Sequence, residues 1–431
     1  MESRLLASPA VCRFVAVLAL VILVAPTAGG YSVLTHEAII DTAWDNNIKP
    51  LLLHEYPQST PQELVTAHSY AYAGCILQDM GYYPFGSKFF SDLLHYVRSG
   101  DFVLNMIAEA QNLNEYAFAL GSMAHYAADT QGHSIAVNRS VPVQYPHLRR
   151  KYGPVVTYEE NPTAHIRVEF GFDVLQVARG NYAPQSYHDF IGFRVAEPVL
   201  ERAFRDTYGL ELQDIFNDLD LALGTYRHTV SAIIPEMTRV AWNLKREDLQ
   251  KATPGLTRRR FIYNLSKASY RKEWDQKYEM PGIRTRILAF VIRILPKVGP
   301  LKALSFKPPT AQTDKFFEDS FDRTLTMYRS LLRDQDAGHL HLQNCDFDTG
   351  ELTRPTEYAL ADNAYAKLAA RLADRDPAAL NPKLRDNILT FFRDRDLPFA
   401  TKKDRKEWEK TLAALDKLNK ANGADPGGRV Q

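Results

Sequence analysis

The stretch AHYAADTQGH, residues 124–133, places His125, Asp129 and His133 at four-residue intervals inside an otherwise apolar run. On an α-helix, positions four apart differ by about 40° in direction, so the three side chains share one face over two turns. An isolated HxxxD is most often the polar stripe of an amphipathic helix. The same spacing recurs in PTAHIRVEFGF, where His165 and Glu169 follow an Asn161 that can cap a helix and a Pro162 suited to its first position. Apolar periodicity predicts helices near 36–47, 61–76, 88–98, 101–112, 114–136, 162–179 and 212–244, with no sustained period-two alternation. The fold class read from this pattern is all-α, a multi-helix bundle.

Composition bounds what such a bundle can do. The chain has 431 residues, 45% of them hydrophobic and 24% charged, which suits a globular protein of two or three domains. With 52 basic against 51 acidic residues it carries no global field for polyanions, so no stable nucleic-acid complex is expected. Arg4 and Arg13 precede the apolar run FVAVLALVILVA, and PTAGGYS follows it. This reads as an export signal over residues 1–30, with cleavage behind Gly30, before Tyr31, in competition with cleavage behind Ala28 or Gly29, and with a periplasmic or extracellular destination. Cys12 lies in that signal, leaving Cys75 and Cys345 for at most one disulfide.

Nine of the twelve histidines fall between residues 36 and 188. His36 opens the first helix of the mature chain, five residues after Tyr31. Asp79 sits in LQDMGYYPFG, read as a loop, and His95 in SDLLHYVRSG, read as a helix. With the pairs above, these make eight side chains of the kinds zinc takes, imidazole nitrogen and carboxylate oxygen, more than one structural ion requires. His54, His68, His147, His188 and His228 have no partner at ligand spacing and read as surface or core histidines. His339 and His341, in HLH, read as a loop or strand surface. The triplet NRS at 138–140 matches a glycosylation acceptor.

In this order the residues resemble the zinc-dependent phospholipase C family, which includes the catalytic domain of the phospholipase D that cleaves glycosylphosphatidylinositol anchors and is related to fungal zinc-dependent single-strand nucleases. The resemblance covers about residues 31–245. It implies an all-helical domain holding three zinc ions. Asp79, His95, His125 and Asp129 would hold one, and His133, His165 and Glu169 a second. The third would take His36, a bridging Asp129, and the free amine and carbonyl of Tyr31. Tyr31 stands where the bacterial secreted lipases carry tryptophan. The four-residue step from Asp129 to His133 is more like the anchor-cleaving phospholipase D than like those lipases or the nucleases.

The implied chemistry is hydrolysis of a phosphodiester by metal-activated water, with Asp79 and Asp129 as the catalytic carboxylates and a phospholipid as the substrate. The alternatives are cleavage on the phospholipase D side, a single-strand nuclease using the same cluster, and a zinc-binding protein without turnover. Tyr82, Tyr83 and Phe85, just after Asp79, are candidates for holding a substrate cation, and equally for a packed aromatic turn.

From about residue 246 the composition changes. LKREDLQKATPGLTRRRF is charged and broken by Pro-Gly, and ends the catalytic domain read over 31–245. A helical C-terminal region over 246–421 follows. It contains the basic amphipathic segment GIRTRILAFVIRILPKVGPLKALSFK, a candidate for peripheral contact with a membrane surface or a helix with solvated flanks. Residues 422–431 read as a disordered tail.

Overall fold

The computed structural model describes residues 32–179, 181–182, 193–230, 303, 305–375 and 380–422, with Ile234, Met237, Ala241 and Glu247 as isolated positions. Residues 1–30, read above as an export signal, lie outside the described residues, as do Tyr31, His188, most of the basic segment and the 422–431 tail beyond Asn422. Those described are helical, and their single β-bridge joins Cys345 and Leu352.

The helices are α1 (Val33–Ala43), α2 (Lys49–Glu55), α3 (Pro61–Gly74), α4 (Lys88–Tyr96), α5 (Ser99–Ala108), α6 (Leu113–Gln131), α7 (Asn138–Gln144), α8 (Pro146–Tyr152), α9 (Pro162–Arg179), α10 (Glu197–Tyr208) and α11 (Leu219–His228). After the basic segment come α12 (Ala311–Asp336), α13 (Ala359–Ala373), α14 (Pro382–Phe391) and α15 (Arg405–Asn422). Several starts follow from local chemistry. Thr60 and Glu63 form a reciprocal capping box at α3. Asn161 Oδ1 accepts the Ala164 N–H at 2.9 Å, capping α9 as its sequence suggests.

Three regions depart from the periodicity reading. Residues 138–152 fold as α7 and α8, which Pro142 and Pro146 obscure in the sequence. The segment 197–208 forms α10, ended by Gly209 at φ 65°. Among the described residues of the predicted 212–244, the α-helix runs over Leu219–His228 and Leu212–Asp214 is a separate 3₁₀ turn.

One connected set of buried apolar side chains runs from Val33 to Leu418, so the described C-terminal helices share a core with the rest. Tyr328 on α12 donates to the Leu120 carbonyl at 3.0 Å, and Arg179 on α9 pairs with Asp314. At its centre α3 crosses α6 with almost no space between the backbones. A Cβ added at Gly121 would lie 2.2 Å from the Ala71 oxygen, and one at Gly74 would lie 2.0 Å from the Phe118 oxygen. This approach carries the Cys75 carbonyl, at the C-cap of α3, to the ring of His125. Gly121→Ala must push the helices apart and is expected to cost about 1–3 kcal/mol, as overpacking does. A thermal melt checks this; an unchanged melting temperature would contradict the close crossing.

Cys75 and Cys345 are both buried and free, so the described fold has no disulfide between them. Asn138 is buried too. It is therefore closed to glycosylation, and its side chain has another task, described below.

Candidate metal centre

α6 carries His125 and Asp129 on one face and then widens into a π-helical turn, Gly132–Val137, that contains His133. The sequence reads that stretch as unbroken α-helix. Extra turns of this kind re-aim a side chain, and here the turn keeps His133 on the face of Asp129, with Nε2 3.8 Å from Asp129 Oδ2. α1 contributes His36, whose Nε2 stands 3.4 Å from Asp129 Oδ1 and whose ring stacks on His125 with centroids 4.5 Å apart. Asp79 comes from a 3₁₀ turn, Leu77–Tyr82, rather than from an open loop. His95, from α4, places Nε2 3.4 Å from Asp79 Oδ1 and 3.5 Å from Asp129 Oδ2. On α9, His165 Nδ1 and Glu169 Oε1 lie 2.6 Å apart.

Among the described residues three groups result, the first two sharing His125: His36, His125 and Asp129; Asp79, His95 and His125; and His133, His165 and Glu169, with candidate ligand atoms within 4.8 Å of one another in each. All eight side chains are 3% exposed or less. His54 and His68 stand elsewhere. His54 is exposed beside Asp336, while buried His68 pairs with Asp41 and stacks on Trp44. His339 and His341 are exposed and belong to none of the three groups.

The histidines are tethered from outside and open inward. His125 Nδ1 meets the Cys75 carbonyl at 2.9 Å, His95 Nδ1 the Ser91 carbonyl at 2.8 Å, and His165 Nε2 the side-chain oxygen of Asn138 at 2.8 Å. His133 Nδ1 faces Asp348 Oδ1 at 3.2 Å. Each tether favours the proton on the outer nitrogen and leaves the inner lone pair facing the cluster. Inside, Asp79 Oδ1, both Asp129 oxygens and the Nε2 atoms of His95, His125 and His133 are buried without a hydrogen-bond partner. Buried polar atoms are rarely left so, and this set is of the kind a divalent cation satisfies. The residues fit zinc.

Electrostatics tell the same story. Burial pushes the His95 imidazolium down, yet the carboxylates of Asp129 and Asp79 outweigh it and raise its pKa to about 10. Burial and the neighbouring His133 drive His165 the other way, to about 3. Burial opposes the ionised form of Asp129, but the histidines around it, His125 foremost, hold it well below the usual carboxylate range.

Of the three aromatic candidates, Tyr82 is the one whose ring meets cluster neighbours, 5.8 Å from His95 and 6.2 Å from Tyr158, itself 5.7 Å from His165. Tyr83 instead packs into the core against Tyr226, and Phe85, at φ 63°, is exposed. Alternation along the turn sends the adjacent tyrosines to opposite sides, a direction that the aromatic run GYYPFG does not reveal.

The N-terminal end of α1 is pinned by a further acid. Asp173, one turn beyond Glu169, accepts the N–H groups of Leu34 and Thr35 at 3.0 and 3.1 Å and the Thr35 hydroxyl at 2.6 Å. This holds His36 and the chain just before it against α9.

An all-helical body holding inward-facing histidines and carboxylates is a frame that can hold divalent cations. Residues 35–217 match the family described as zinc dependent phospholipase C. No curated protein and no solved structure matches the chain. All eight side chains lie within the matched residues, whereas α12 to α15 lie beyond them.

Zinc binding should therefore release protons. Because the carboxylates hold His95 protonated up to about pH 10 in the metal-free state, an ion at its Nε2 must displace that proton at neutral pH. At least one proton per chain is expected to leave on zinc addition at pH 7.5, and apparent affinity should rise by up to about tenfold per pH unit for each proton released. Calorimetry in buffers of different ionisation enthalpy reads this directly; zero release would show that His95 is not a ligand.

Proposed function

We propose that this is an exported phosphodiester hydrolase of the phospholipase C type, working on phospholipid head groups with three zinc ions. The observation that carries the reading is the set of buried, inward-facing atoms without hydrogen-bond partners, backed by outward hydrogen bonds on His95, His125 and His165 and an ion-pair contact between His133 and Asp348. Asp79, His95, His125 and Asp129 would hold one ion. His133, His165 and Glu169 would hold a second, and His36 and Asp129 a third, with the amine and carbonyl of Tyr31 after removal of residues 1–30. Pinning of Leu34 and Thr35 by Asp173 supports the third site, since it fixes the segment that follows Tyr31.

Zinc supplies charge to stabilise a phosphodiester's developing negative oxygens and lowers the pKa of water toward neutrality. The chain's own residues do the rest. Asp129, with an oxygen toward His36 and another toward His125, spans the groups. Asp79 Oδ1 has no hydrogen-bond partner, and as a base it would accept the proton that the attacking water gives up. Tyr82 and Tyr158 supply an aromatic wall beside His95 and His165, with Lys88 Nζ 5.9 Å from the centre of the Tyr82 ring. No described helix is long and apolar enough to span a membrane, and lipid contact at a surface is part of the proposal. The basic segment before Phe306 is the candidate for that contact. Lys307, at its end, is already engaged with the Gln144 carbonyl at 2.8 Å.

The test is product analysis with zinc-loaded protein on vesicles of choline, ethanolamine and inositol lipids, beside single-stranded DNA. Diacylglycerol with a phosphorylated head group supports the reading. Phosphatidic acid would move it to phospholipase D-type cleavage, and nucleotides to a nuclease. Full zinc with no product from any of these would leave a zinc-binding protein.

A further inference from the structure

Outside the family-matched segment, the loop after α12 enters the cluster. It is stitched down along its length: the Ser99 hydroxyl donates to the Cys345 carbonyl at 2.6 Å, and the Asp101 N–H to Asn344 Oδ1 at 3.0 Å. Asp346 Oδ1 then accepts the N–H groups of Asp348 and Thr349 at 2.8 and 3.3 Å, closing a tight turn. The turn can lie against α6 because Gly350, at φ 75°, has no side chain; a Cβ there would stand 2.4 Å from the Thr130 oxygen. Phe347 donates its N–H to the His95 carbonyl at 3.2 Å and sets its ring 5.3 Å from that of His95.

This geometry delivers Asp348 to both histidines of one metal group. Its Oδ1 stands 3.2 Å from His133 Nδ1, off the ideal line of a ring N–H but within ion-pair reach. Its Oδ2 accepts the hydroxyls of Tyr96, at 2.8 Å, and Tyr358. Its backbone carbonyl accepts Asn138 Nδ2 at 2.6 Å, and Asn138 Oδ1 in turn faces His165 Nε2 at 2.8 Å. With its carboxylate filled from these sides and 1% exposed, Asp348 has no face left for an ion of its own. We propose that Asp348 is the positioning residue of the second zinc: its carboxylate orients His133 directly, its carbonyl orients His165 through Asn138, and the C-terminal region thereby completes the metal centre. The inference rests on reading the cluster as a zinc centre.

A carboxylate behind a ligating imidazole fixes the tautomer and raises the basicity of the inner nitrogen, and losing such a partner weakens metal binding roughly 10–100-fold. In full-length protein, Asp348→Asn keeps size and shape, and removes the charge. Zinc is titrated against a competing chelator, with bound zinc counted after each step. One ion of the set should weaken by that factor while the others hold at wild-type affinity. Asp346→Asn, which preserves the turn, should change none. A folded Asp348→Asn with every affinity unchanged would overturn the proposal while leaving the zinc centre standing; a wild-type chain that binds no zinc would sink both. Independently of any variant that fails to fold, nitrogen NMR of the zinc-loaded wild type should show His133 protonated at Nδ1 and ligating through Nε2. The reverse tautomer overturns the assignment.

Discussion

Asp129→Asn is expected to lose zinc from more than one site and to lower phosphodiester hydrolysis by on the order of 10³-fold or more, since a metal's charge stabilisation is worth several kcal/mol. Asp129 is the carboxylate that the cluster shares. Its Oδ1 stands 3.4 Å from His36 Nε2, and its Oδ2 3.0, 3.5 and 3.8 Å from the Nε2 atoms of His125, His95 and His133. Asparagine keeps the shape but offers one acceptor, and turns an amide donor toward nitrogens whose lone pairs must face an ion. His54→Ala is the matched control. His54 is an exposed partner of Asp336, and surface pairs of that kind contribute at most about 1 kcal/mol. Zinc content and turnover measured on both variants check the assignment. Comparable damage from the two would show that the ligand set is wrong.

Stripping the metal should have the second large effect, on stability rather than rate. Eight buried histidine and carboxylate side chains make up the three groups, and without cations Asp79 Oδ1, both Asp129 oxygens and several ring nitrogens remain buried without hydrogen-bond partners. Binding to the native state alone stabilises by about 2.7 kcal/mol per site at a hundredfold excess over the dissociation constant. For three sites the melting temperature should fall by roughly 10 °C or more on complete chelation, and should return with added zinc. Acid should act like a chelator, because each ligating histidine must be neutral to bind. Differential scanning calorimetry with and without chelator reads the shift. An unmoved transition would mean that the cluster folds without needing a cation.

The parts of this site that are legible in the sequence are those within one helix. His125 with Asp129, and His165 with Glu169, share a face because a four-residue step nearly completes a helical turn, and that relation needs no tertiary knowledge. That His36, Asp79 and His95 join them is not contained in any spacing; it follows from the family resemblance, and the packing of α1, α3 and α4 around α6 supplies the distances. Gly74 and Gly121 show why, since their role is visible only once the helices they bring together are in place.

The outer layer of the site is legible in no local pattern. Asn138 reads as part of a glycosylation triplet, yet it is buried and bonds the Asp348 carbonyl 210 residues away. Asp348 sits in CDFDTGE, whose Asp and Gly announce a turn and nothing about what the turn touches. Helix periodicity likewise predicts an α-helix through 136 and misses the π-turn that aims His133, because one extra residue per turn leaves no mark on an apolar pattern of this length.

The most direct test is elemental analysis of the purified protein together with the mass of its N-terminal peptide, from one sample. Close to three zinc ions per chain, one for each ligand group, with Tyr31 as the first residue is the predicted result. One zinc or none, or a chain that begins before Tyr31, would contradict the three-ion centre at its root.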